Sequence, residues 1–184
     1  MNDWVEPLDS LLEACWAQLR AASDTNGLVS LATVSGAHDP EVRMVVLRAA
    51  DPVTATLEIY TDLQSDKIAS LRATPRAALV HWDPDRKLQI RATCDVTILT
   101  GATVRDRWQA VPDHSRFSYG MTPPPGRPIA TSTAYVKKPD PAVFAVLSCR
   151  VSHIDAVHLG QPHRRAAFTR DTQAGDWHMR WLAP

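Results

Sequence analysis

The residues Arg43-Met44-Val45-Val46-Leu47-Arg48 set an apolar run between two cations, and Tyr60 and Thr61 end a second β-rich run shortly before Ser65-Asp66-Lys67. A phosphate needs cations and hydrogen-bond donors, whereas a flat ring needs an apolar strand to lie against. Together these residues suit an anionic, planar, partly apolar ligand. Both alternating sets of the first run are largely apolar, as in a strand buried between layers or covering a flat ligand. Taken in isolation, that run reads more simply as a central strand whose arginines reach solvent. Lys67 shifts the balance, because it falls in the first turn of a predicted helix, where positive partial charge already resides and a cation is unfavourable unless it serves an anion. Ser65 reads as the N-cap, and Asp66 also favours that helix end. In Lys87-Leu88-Gln89-Ile90-Arg91 strand alternation places Gln89 with Arg91, and the amide of Gln89 can both donate to and accept from the edge of a ring. A polar residue facing solvent is the alternative.

The elements that must position these groups are legible in the pattern. Leu8, Leu11, Leu12, Cys15, Leu19 and Ala22 share a helical face, which predicts a helix over 7–22, stopped by Ser23 to Gly27 with Gly27 suited to a left-handed cap. Short β-rich runs follow: 28–34, 41–49, 56–61, 77–82, 88–99, 142–157, 165–170 and 177–182, separated by turn clusters at 35–40, Pro84-Asp85 and 172–176. Only 66–74 and 102–110 read as further helices. That is too few for a parallel sheet, so the expectation is a mainly β, antiparallel barrel or sandwich with helices attached. Pro123, Pro124, Pro125 and Pro128 around Gly126 predict an irregular surface loop of the kind that covers a site or a partner.

The 184 residues fit a single domain, 1–184, and neither repeats nor low-complexity segments appear. Twenty Lys and Arg balance twenty Asp and Glu, so no basic field recruits nucleic acid or an anionic membrane. Aromatic residues are only 7%, without the basic, aromatic-interleaved strand on which barrel-type readers stack bases. No membrane-length apolar stretch or signal peptide is evident, and a cytoplasmic protein is expected. Cys15, Cys94 and Cys149 lie apart in apolar runs and read as core thiols. No metal site is expected: His153 and His158, five apart in a strand, point to opposite faces. A serine-hydrolase elbow is absent, and the sequence designates no catalytic residue.

With these residues in order, the chain resembles the pyridoxamine 5′-phosphate oxidase family and its FMN-binding split-barrel relatives. The resemblance rests on Arg43 to Arg48, Ile59-Tyr60-Thr61, Ser65-Asp66-Lys67, Pro75 to Val80, Gln89-Ile90-Arg91 and the ending Trp177 to Pro184, and it spans nearly everything after Gly27. It implies an antiparallel, Greek-key split barrel with an N-terminal helix, and a homodimer with FMN at the interface. It implies FMN contacts at Arg43, Met44, Val45, Val46, Leu47, Arg48, Tyr60, Thr61, Ser65, Lys67 and Gln89, with Thr131 and Ser132 added near the partner subunit. The implied activity is an FMN-dependent oxidoreductase acting on a small substrate, anionic if Arg48, Arg116, His163 and Arg165 serve it. The alternative is a non-catalytic carrier or sensor of flavin, deazaflavin or haem. Departures are specific: Asp66 stands where the family commonly has a second cation, and Arg48 where it uses Lys. Val157, His163, Arg165 and Ala167 break the vitamin B6 substrate pattern, which has a Trp, an Arg-x-His pair and a further Arg there.

Overall fold

Strand Leu28–Val34 (β1) buries Val29, Leu31 and Thr33 on one face, the period-2 burial expected of a barrel wall. In the computed structural model, which describes residues 4–171 and 175–184, β1 pairs antiparallel with Pro40–Asp51 (β2), and β2 with Thr56–Asp62 (β3). The chain then crosses through helix Asp66–Ala73 (α2) and returns as Arg76–Asp83 (β4) on the other side of β1, giving the Greek-key order β4-β1-β2-β3. Leu88–Thr100 (β5) follows β4, and Phe144–His158 (β8) closes the barrel by pairing with both β3 and β5. The result is a mainly β, closed six-stranded antiparallel barrel. The far half of β8 stays paired with β5 while its other edge exchanges β3 for Arg164–Arg170 (β9), which carries Trp177–Leu182 (β10) at its outer side.

Helix Leu8–Asp24 (α1) lays Leu11, Cys15, Leu19 and Ala22 against the barrel, with Trp16 edge-on to Trp177 of β10. The three cysteines are free and buried, and desolvation pushes Cys15 and Cys149 up to about 12, which leaves them inert. A smaller core of Val104, Val111, Tyr119, Phe144 and Val146 packs with Trp108 and Tyr60. It fixes Arg105–Ala110 (α3) and Asp113–Arg116 (α4) over the junction of β3 and β8. Among the described residues no helix is long and apolar enough to cross a membrane, and no three His, Cys, Asp or Glu side chains gather as a metal site.

Several local expectations change. The first helix runs on to Asp24, and the left-handed residue at its end is Asn26 (φ 53°), not Gly27. Asn tolerates that conformation, while Gly27 serves a close approach: a Cβ there would stand 3.0 Å from the carbonyl oxygen of Ala22. The helix expected over 102–110 opens as a 3₁₀ turn at Gly101–Val104. The Pro-rich loop is tied at its base by Met121–Thr122 (β6) pairing with Val136–Lys137 (β7), a two-residue ladder too short for periodicity to reveal. Thr172 to Ala174 of the expected turn, like Met1 to Asp3, lie outside the described residues.

Phe144 is fully buried with ring centroids 5.2 Å from Tyr60, 5.2 Å from Trp108 and 5.0 Å from Tyr119. Phe144→Ala is expected to lower stability by about 3–5 kcal/mol in urea unfolding followed by circular dichroism. A loss below ~1 kcal/mol would show that this cluster does not anchor α3 and α4.

Candidate functional site

A groove of ≈310 Å³ opens where β2 and β3 meet the start of α2, walled on the far side by Ser118, Tyr119 and Pro125. Arg43, Met44, Val45, Val46, Arg48, Tyr60, Thr61, Ser65 and Lys67 all line it. Leu47 is the exception within the first run: its side chain is fully buried in the barrel core, on the strand face from which Val45 also packs against that core. Arg48 is the extra residue of a β-bulge, because Leu47 pairs with Ile59 while Ala49 pairs with Glu58. The bulge re-aims this side chain, which donates to Asn26 Oδ1 at 2.5 Å and lies 5.7 Å from the centre of the Tyr60 ring.

At the α2 end, Lys67 Nζ donates to Thr61 Oγ1 at 3.1 Å and to Ser65 Oγ at 3.0 Å. Ser65 occupies the N-cap position but its hydroxyl makes no capping bond. It donates instead to the carbonyl of Asp62 at 2.7 Å. The first amides of α2 are thus left uncapped by that side chain, a setting suited to an anion. Burial, helped by the charge of Arg43, lowers the pKa of Lys67 from the ordinary lysine value, against the pull of Asp62 and Asp66. A partly desolvated ammonium held by two hydroxyls is primed for an anionic partner.

Arg43 is less free than its sequence position suggests. Its guanidinium donates to Thr33 Oγ1 at 2.7 Å and to the Glu41 carboxylate at 3.0 Å, and Ser70 of α2 donates to the same Glu41 oxygen at 2.9 Å. The Ser70 hydrogen bond first, and Arg43 with it, holds Glu41 below the usual carboxylate range. Arg43 therefore brings rigidity to the groove floor more than unbalanced charge.

The other sequence-designated residues lie elsewhere. Gln89 shares the outer face of β5 with Arg91, since Leu88 and Ile90 are buried, but its neighbours are Trp82 and Val157 rather than the groove. Thr131 and Ser132 are exposed beyond the Pro-rich loop, and His163 is exposed in the β8–β9 turn. Arg165 is engaged: it donates to Asp155 at 3.0 and 2.7 Å, and Arg91 reaches the same carboxylate at 2.6 Å. Burial raises the pKa of Asp155, but the two arginines outweigh it and leave the group lowered. Arg116 is likewise occupied, pairing with Asp113 at 2.9 Å, donating to the carbonyl of Gln109 at 2.9 Å and lying over Trp108. Sequence reasoning missed Tyr119 and Asp62. Asp62 is buried and accepts from the Gly120 amide at 2.9 Å, a contact 58 residues apart that no local pattern announces.

A second cavity of ≈400 Å³ adjoins the groove and shares Arg48 and Tyr60 with it, its remaining wall including Asn26, Val111, His114 and Ser115.

Residues 1–100 match the model of the pyridoxamine 5′-phosphate oxidase FMN-binding domain. The chain belongs to this family. A pyridoxine/pyridoxamine 5′-phosphate oxidase of Hyphomonas neptunium is 32% identical over 131 residues, covering 70% of this chain and 58% of that protein. One of Rhodopseudomonas palustris is 30% identical over 194 residues, covering 94% and 88% respectively. The crystal structure of a pyridoxamine 5′-phosphate oxidase-related, FMN-binding protein of Nostoc punctiforme aligns with a TM-score of 0.77 at 26% identity, over 98% of this chain and 99% of that one. The barrel is thus the family's split barrel. Against the vitamin B6 oxidase pattern, Val157 and Ala167 offer no polar group, and Arg165 is held by Asp155.

Because Lys67 has a lowered pKa, a phosphate dianion should bind fully only between its own second ionisation, near pH ~6, and the pKa of Lys67. Affinity for FMN should then fall on the alkaline side earlier than an ordinary lysine would dictate, and Lys67→Arg should move that limb upward. Fluorescence titrations between pH 6 and pH 10 read this directly; an alkaline limb unmoved in K67R would remove Lys67 from the binding site.

Proposed function

We propose that the chain binds FMN in the β2–β3–α2 groove and acts as an FMN-dependent oxidoreductase on a small substrate. The observation that carries this reading is the Lys67 ammonium, part-buried between two hydroxyls at a helix start and continuous with the apolar floor of Met44 and Val46. The donor set fits a phosphate at one end and a ring along the strand. Lys67, Thr61, Ser65 and the α2 amides would hold the phosphate, and β2 with Tyr60 would flank the ring. Bound flavin would supply hydride acceptance, while the protein supplies orientation and electrostatics.

The adjoining cavity is the place for substrate. Arg48 stands between the two spaces with its planar fork pre-set by Asn26 and Tyr60, and His114 and Ser115 face it across the cavity. Of the two arginines expected at the substrate, Arg48 is the better placed, because Arg116 is engaged with Asp113 and Gln109.

A homodimer belongs to the same reading. Leu28, Val42 and Met44 on the outer face of β1 and β2 are 58%, 73% and 57% exposed, and Trp82 of β4 extends the patch at 45%. Cross-strand register makes the patch continuous, with Ser30 opposite Met44 and Ala32 opposite Val42. An apolar face of this kind on a soluble barrel is suited to a second copy, and Gln89, beside Trp82, would then serve the partner's groove.

A carrier or sensor is the second reading, favoured by the neutralised Arg165 and by Val157 and Ala167. Peroxide produced from pyridoxamine 5′-phosphate and oxygen by the FMN-loaded protein would exclude it.

Titration of the purified protein with FMN should perturb the flavin's visible spectrum at micromolar concentration, and Lys67→Ala should weaken binding about 10- to 100-fold, the range for a charge-assisted hydrogen bond. No spectral change at all would defeat the flavin reading. Val42→Glu should convert a dimer to a monomer in light scattering and weaken FMN binding with it; a variant that stays dimeric would place the interface elsewhere.

A further inference from the structure

The phosphate end of the groove has a charge problem that Lys67 alone does not resolve. Arg43 is matched by Glu41 at 3.0 Å, Asp62 lines the groove, and Asp66 precedes Lys67 at the helix start. A dianion arriving there meets one ammonium that is not matched within the groove floor, with two carboxylates close by.

The Pro-rich loop brings a further cation to the rim of the groove, beside Asp66 rather than among the lining residues. Pro125 forms part of the groove wall. Gly126 follows in a left-handed conformation (φ +82°) and lies so close to Asp66 that a Cβ would stand 2.7 Å from Oδ2. The left-handed φ favours glycine there, and the Asp66 carboxylate, the end of an exposed side chain, lies against its open side. The next residue, Arg127, extends a guanidinium to Asp66 Oδ1 at 3.7 Å, and the Arg127 amide donates to the carbonyl of Pro124 at 3.2 Å, which tightens the turn. Arg127 and Asp66 are 57% and 60% exposed, so the pair by itself contributes little to folding. Its value lies in placement. A guanidinium has five donors in a fixed fork, and a single long contact to Asp66 leaves most of them to face a second oxyanion.

We propose that Arg127 is the second phosphate-binding cation of this site, and that Asp66 is its positioning residue. Asp66 holds the loop so that the guanidinium bridges its own carboxylate and the ligand's phosphate. The inference rests on the flavin reading of the groove and adds to it a specificity determinant for FMN over riboflavin.

The test compares FMN with riboflavin, which lacks the phosphate, in four proteins: wild type, Arg127→Ala, Asp66→Ala and the double variant. Wild type should prefer FMN. Arg127→Ala should lose about tenfold of that preference, the low end for a charged hydrogen bond at an exposed site, with riboflavin affinity unchanged, and Arg127→Lys should restore part of it. In the Asp66→Ala background, Arg127→Ala should still lower the preference but by less than in wild type, because the guanidinium touches the ligand and has lost the carboxylate that positions it. If Arg127→Ala leaves the preference at the wild-type value, or is silent once Asp66 is removed, Arg127 merely neutralises Asp66 and the proposal fails. If wild type binds FMN no better than riboflavin, the phosphate reading of the groove fails first, an outcome distinct from the other two.

Discussion

The structure depends on one strand that serves two sheets. β8 pairs with β5 from Ala145 to His158, while its other edge is shared, first with β3 and then with β9. A single extra residue, Ser152, makes the change of partner: Thr93 pairs with His153 and Cys94 with Val151, and the Ser152 hydroxyl donates to the carbonyl of Thr93 at 3.2 Å. A bulge bends a strand and strengthens its twist, and here it lets β8 close the barrel and still carry the β9–β10 hairpin. Because β3 is held residue for residue against β8, Tyr60 opposite Val146 and Thr61 opposite Ala145, the groove side chains inherit the rigidity of the barrel rather than the mobility of a loop.

Charge in the molecule follows a similar economy. The arginines nearest the candidate sites are mostly held by carboxylates or by carbonyl and amide oxygens, as Arg43 is by Glu41, Arg165 by Asp155 and Arg48 by Asn26. Pre-orienting a guanidinium reduces what remains to be ordered when a ligand arrives, at the expense of net attraction. Lys67 is held by hydroxyls and Arg48 by a neutral amide oxygen, partners that orient a cation without cancelling its charge. Arg43 and Arg165, matched by carboxylates, thus keep little unbalanced charge beside that of Lys67 and Arg48.

Much of the fold could be read from local pattern. β1 and β10 begin and end where alternation and flanking turns place them, β2 to β5, β8 and β9 differ by a residue or two at their ends, and local pattern does not anticipate the short β6 and β7. The run Arg43 to Arg48 also borders the groove, Leu47 apart, although Val45 packs against the barrel core as well. What was hidden depends on partners distant in sequence. Arg165 looks available in isolation, yet its carboxylate partner lies one strand away on β8, and Arg91 reaches the same carboxylate across 64 positions. Gln89 carries the right chemistry on the right face, but the path of β5 takes it round the barrel from Lys67. The swap of roles between Asn26 and Gly27 was hidden for a different reason: both residues tolerate a left-handed conformation, and only the close packing against Ala22 decides between them.

The asparagine that ends α1 gives the helix a reach beyond its own packing. No residue of α1 lines the groove, yet Asn26 fixes the fork of Arg48. The helix is in turn fastened to the C-terminal hairpin through Trp16 and Trp177, and the segment before it through Glu6 and Arg164. Helix, hairpin and groove cation are thus links in one mechanical chain. Local opening at the outer hairpin, the part of the sheet with a free edge, would be transmitted as loss of alignment at Arg48 while the barrel itself stayed closed.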